Sequence, residues 1–111
     1  MLFRSKFVAP NEESAAATLA SVELPADLRA FITDPEGENS YPIVTYTWIL
    51  VNKKYNDPQK AIAMEGMIQY GLTKGQRQSA ALGYIPLPPN VIEKVAKAAD
   101  EISPDYQIKL N

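Results

Sequence analysis

A helix-rich α/β arrangement with few strands is the fold class this sequence predicts, and three observations predict it. Residues 43–52 alternate like a strand, yet both faces become apolar toward its end. Residues 58–72 and 90–102 carry apolar side chains at helical spacing. Prolines and glycines stand at the ends of these stretches, where they start or stop helices.

In chain order, residues 6–10 form a short piece closed by Pro10. Asn11-Glu12-Glu13-Ser14 then reads as a helix start, with acidic side chains suited to the positive end of the helix dipole. That helix runs through an alanine-rich stretch and stops near Val22, ahead of Pro25. Residues 28–33 are apolar and short, the pattern of a strand. Residues 34–40 are rich in turn formers and mark a linker or a crossing between lobes.

Residues 43–52 read as the principal strand, with Ile43, Thr45, Thr47, Ile49 and Val51 on one face and Val44, Tyr46, Trp48 and Leu50 on the other. A strand apolar on both faces belongs in a sheet covered on both sides, as in parallel α/β proteins. The rest of the chain offers few partners for such a sheet.

Asp57-Pro58 is a helix start, with a capping carboxylate followed by proline at the first helical position. Ala61, Met64, Ile68 and Leu72 continue as a stripe. Gly66 and Gly71 each cost such a helix about 1 kcal/mol relative to alanine, which suggests close packing or a bend. A second helical piece over 76–82 ends at Gly83, a left-handed cap. Residues 84–89 are stiffened by proline. The last helix starts at Asn90, with Val91, Val95, Ala98 and Ile102 on one face, and Pro104 ends it. Residues 105–111 read as a tail.

The 111 residues correspond to one small domain, with 46% hydrophobic and 22% charged residues and a net charge of −2. Lys53-Lys54 is the one adjacent basic pair, which argues against a nucleic-acid surface. The absence of Cys and His removes thiolate chemistry, zinc-thiolate sites and the usual neutral-pH general base. No cofactor or metal site is read from the chain, and no acid–base pair or nucleophile constellation supports an enzyme. No apolar run approaches the roughly 20 residues that span a bilayer. The first five residues are too short for a secretion signal, so the expectation is a cytoplasmic protein or a chain whose true start lies elsewhere.

Gly66 and Gly71 have P-loop spacing, but no Lys follows the second and both sit in a helical pattern, so no nucleotide site is expected. Thr45 and Thr47 share a strand face, where hydroxyls can bind an oxyanion or bridge a hinge; the alternative is that threonine simply favours strands. Tyr46 and Trp48 share the other face and read as core or interface aromatics rather than a stacking platform. Arg4, Arg29 and Arg77 are isolated and solvated, so none reads as an anion clamp.

Three motifs in order carry a family resemblance: Ser40-Tyr41-Pro42-Ile43 leading into the Trp48 strand, Thr73-Lys74-Gly75-Gln76, and Leu82-Gly83-Tyr84-Ile85-Pro86-Leu87-Pro88. With Asp34-Pro35-Glu36-Gly37 upstream, the series resembles the C-terminal part of the phosphate-binding protein of bacterial phosphate ABC transporters. The resemblance implies a partial periplasmic-binding-protein fold, type II-like. Residues 1–40 would end the second lobe, 41–52 would form a hinge-crossing strand, and 53–111 would be the C-terminal helical part of the first lobe. Thr45, Tyr46 and Thr47 are then the hinge or cleft candidates.

By the same resemblance the full receptor sits in the periplasm or at the cell surface. It binds inorganic phosphate and hands it to the transporter's membrane subunits. The family holds phosphate with hydroxyls, helix N-termini, an Asp, and an Arg beside a Ser-Gly-Thr motif. This sequence contains no Ser-Gly-Thr, and none of those ligands matches a position in it. The expectation is a C-terminal segment that does not bind phosphate alone. The alternatives are a receptor for another oxyanion, sulfate or molybdate, and a small autonomous protein-interaction module.

Overall fold

A computed structural model describes residues 6–111; Met1 to Ser5, and with them Arg4, lie outside the described residues. Three α-helices and two short 3-10 turns make up the regular structure, and no strand occurs among the described residues.

Helix α1 (Glu12–Ser21) begins as its sequence dictates. Asn11 accepts a hydrogen bond from the Ser14 backbone N–H, while the Ser14 hydroxyl accepts from the Asn11 N–H, a reciprocal capping box. Thr18 is fully buried, and its hydroxyl reaches the Tyr41 carbonyl at 2.8 Å. The Tyr41 N–H donates to Ser14 O at 3.2 Å, so α1 holds the entrance to the apolar segment.

Helix α2 (Pro58–Leu72) is capped by Asp57, whose carboxylate accepts from the Gln59 N–H at 2.9 Å, with Pro58 at the first position. Two 3-10 turns follow, Lys74–Gln78 and Ala80–Leu82, ending at Gly83 in the left-handed region with φ 81°. Helix α3 (Pro89–Ala99) stops earlier than its apolar pattern, and Ile102 lies beyond it, buried in the core.

The larger core lies between α2, α3 and the C-terminal segment. Ala61, Leu72, Ala96, Ala99, Ile102 and Ile108 are its buried members. The stripe read on α2 is the buried one, with Met64 and Ile68 packed against this cluster. Residues 105–111 are less free than a tail. Gln69 Oε1 accepts from the Tyr106 hydroxyl at 3.0 Å and the Lys109 N–H at 2.8 Å, and Asp100 accepts from the Ile108 N–H. A smaller cluster joins Leu24, Ala30 and Val91, with Tyr46 packed beside it.

Two expectations are corrected. The strand over 28–33 is absent because Leu28 turns into the left-handed region with φ 60°, its N–H bonded to Pro25 O in a turn. The principal strand over 43–52, and with it the β part of the α/β class, is also absent from the described residues. A strand is defined by a paired backbone, and no backbone N–H from 43 to 51 donates to a described residue. Close packing does not explain Gly71, where a Cβ would meet nothing within 4 Å, whereas one at Gly66 would touch the Tyr106 hydroxyl at 4.0 Å.

The consequence is a large surface. The accessible area is 8560 Å², against about 6,100 Å² for a compact monomer of this mass. The radius of gyration is 16.1 Å, against about 13 Å for a folded chain of this length.

Candidate functional site

The segment from Tyr41 to Val51 is where the sequence placed its hinge or cleft candidates. Its alternation survives without a sheet only over residues 44–47. Thr45 and Thr47 face solvent, while Tyr46 is half-buried against Leu24, Ala30 and Val91. The Thr45 hydroxyl donates weakly to the Tyr46 carbonyl at 3.3 Å. The Tyr46 hydroxyl is buried with no hydrogen-bond partner among the described residues, and burial pushes its phenol above the ordinary range. Trp48 lies next to it, ring centres 6.3 Å apart and tilted by 57°, and its Nε1–H donates to the Leu28 carbonyl at 2.8 Å. The aromatic pair therefore anchors the segment to the 22–30 turn, the structural role its spacing implied.

Among the described residues no cation is bonded to these threonines. Arg29 is bound to Asp27 at 3.0 Å, and its backbone N–H, then its guanidinium, hold the Asp27 carboxyl below its usual range. Arg77 is exposed in the first 3-10 turn. It borders a cleft of about 540 Å³ with Lys74, Lys109 and the opposing Glu93. These three cations are exposed, so water already satisfies them. A second cleft, about 400 Å³, lies beside Tyr41, Ile43 and Val44 and is lined mostly by apolar groups, with no cation. No group of metal-ligating side chains occurs among the described residues. Gly66 and Gly71 sit inside α2, where no phosphate loop can form.

The two C-terminal motifs are tied to each other. Gln76 donates from Nε2 to the Gly71 carbonyl at 2.8 Å and accepts from the Leu87 N–H at 2.7 Å. The Thr73 hydroxyl donates back to Gln69 O. Gln76 thus staples the end of α2 to the proline-stiffened 84–88 stretch, a link with no local signature because its partners are five and eleven residues away. Gln76→Ala is expected to cost about 1–2 kcal/mol, since it leaves the part-buried Leu87 N–H unpaired. A urea midpoint equal to the parent's would refute that role.

Several curated proteins are similar to this chain in sequence. The phosphate-binding protein PstS of Xylella fastidiosa is 33% identical over 92 residues, covering 81% of this chain and 25% of the relative. PstS of Methanocaldococcus jannaschii is 35% identical over 100 residues, covering 78% and 25%. PstS2 of Mycobacterium bovis is 31% identical over 102 residues, covering 86% and 28%. These relatives are all named as phosphate-binding proteins. Along about four-fifths of its length this chain is similar in sequence to the phosphate-binding protein PstS. The chain spans about a quarter of the length of the curated relatives it matches. No family model matches it, and no solved structure does.

Proposed function

We propose that this chain is the C-terminal segment of a phosphate-binding receptor that delivers inorganic phosphate to the membrane subunits of an ABC transporter. One observation carries the reading. Most of the chain aligns with a quarter of PstS, and the stretch with the strongest strand pattern is left without a sheet. Residues 1–40 end the second lobe, residues 41–52 cross the hinge, and residues 53–111 cover the first lobe, within a periplasmic-binding-protein fold of type II character. Thr45, Tyr46 and Thr47 lie at the crossing, and the parent receptor works in the periplasm or at the cell surface. No helix among the described residues is long and apolar enough to cross a membrane.

Phosphate requires converging donors, from helix N-termini, hydroxyls or a guanidinium. The exposed Thr45 and Thr47 have no such company here. The isolated chain is therefore expected to ignore phosphate. A thermal melt followed by far-UV circular dichroism should not move on addition of millimolar phosphate, because a ligand stabilises only a state that binds it. Fusing the chain behind the upstream three-quarters of a PstS relative should restore a phosphate-dependent rise in melting temperature. Micromolar affinity in the isolated chain would sink the segment reading; a fusion stabilised by sulfate or molybdate instead would reassign the anion.

A further inference from the structure

We propose that Lys94 closes a latch between the two lobes, beside the hinge, and that this latch opposes phosphate binding by the receptor. The inference rests on the receptor reading above, in which residues 1–40 belong to the second lobe and residues 53–111 to the first. Lys94 Nζ, on α3, donates to the Leu24 carbonyl at 2.6 Å, a partner 70 residues away in the chain. Val91 lies one turn earlier on the same helix face. It is 1% exposed and packs with Leu24 and Ala30, themselves 5% and 9% exposed. On that reading the bond and the apolar cluster both join one lobe to the other. The hinge segment shares the contact, since Tyr46 packs against the cluster and Trp48 Nε1–H donates to the Leu28 carbonyl.

Two observations give the sign of the effect. First, residues of this chain alone complete the latch, and their hinge threonines have no converging anion donors. The latch therefore forms independently of phosphate. Second, the latched arrangement buries the Tyr46 hydroxyl with no hydrogen-bond partner among the described residues. A buried, unsatisfied hydroxyl carries a cost that another arrangement can relieve. A ligand moves an equilibrium between two arrangements only by its differential affinity for them. Whatever stabilises the arrangement without anion contacts is therefore subtracted from the apparent affinity. Lys94 acts through the position of the lobes and not by touching the anion.

The test has two arms. In the 111-residue chain, Lys94→Met frees the 22–30 turn from α3. Acrylamide quenching of Trp48, the one tryptophan, is expected to rise while the helical circular dichroism spectrum stays unchanged. In the fusion of this chain behind the upstream three-quarters of a PstS relative, calorimetric titration with inorganic phosphate reads the affinity. Lys94→Met is expected to lower the Kd by about three- to fivefold, the share of a part-buried charged hydrogen bond. Damage to the fold would weaken binding, so tighter binding separates a latch from a merely structural lysine. Lys97→Met, exposed on the same helix, is expected to leave the Kd unchanged. Unchanged Trp48 quenching in the isolated chain overturns the latch whatever the chain belongs to. An unchanged or raised Kd for Lys94→Met overturns it, as does an equal drop for Lys97→Met. A parent fusion that ignores phosphate overturns the receptor reading and the role given to the latch, while the quenching arm still judges the contact itself.

Discussion

Replacing Glu65 by alanine is expected to destabilise the chain by about 2–4 kcal/mol. Glu65 is fully buried on α2, among the alanines and isoleucines that join α2 to α3. Its Oε1 accepts from the backbone N–H of Ser103, itself 2% exposed, at 2.8 Å. The second oxygen is buried without a partner among the described residues. Alanine would strand the Ser103 N–H and leave a cavity, and a buried unpaired donor is costly. Glu65→Gln keeps the acceptor while removing a carboxylate from an apolar site, and is expected to change stability by less than about 1 kcal/mol. Urea unfolding followed at the helical band separates the two. If both variants unfolded at the parent midpoint, Glu65 would not be what holds the end of the α3 region to α2.

Leu72→Ala is expected to cost about 2–4 kcal/mol as well, through lost transfer energy and the cavity left behind. Leu72 is the last residue of α2 and is 6% exposed. The fully buried members of its cluster are otherwise three alanines, Ile102 and Ile108, so one leucine is a large share of the core volume. Compact domains hold only about 5–15 kcal/mol in total, and this chain leaves much of its apolar surface in water. The variant is therefore expected to lose its cooperative transition at room temperature. A sharp melt at the parent temperature would mean that the α2–α3 cluster is not the stabilising core.

Much of the helical framework was legible because its signals are local. Asp57 and Pro58 mark the start of α2, Gly83 marks the end of the 3-10 region, and Asn11 with Ser14 marks the start of α1. The kinship with PstS was legible in ordered motifs. Glu65 was missed although a trace was present. Positions 61, 65, 68 and 72 are as good a helical stripe as the one through Met64, and a carboxylate on such a stripe signals a buried acceptor with a distant partner. Gln76 left no trace, since an exposed-looking glutamine in a turn carries no mark of the Leu87 N–H it will bind. Of the site candidates, the alternation that turns Tyr46 inward and Thr45 and Thr47 outward was readable, while the lack of converging cations was not.

By itself, then, the sequence determined where α1 and α2 start, where the 3-10 region stops, most of the buried stripe of α2, and which family this chain resembles. Caps, prolines and a 3.6-residue period act within one or two turns and need no partner. Only the tertiary structure decided the fate of residues 28–33 and 43–52. Their composition asks for strands, but a strand exists only where another backbone accepts its hydrogen bonds, and Leu28 turns the first away while the described chain supplies no partner to the second.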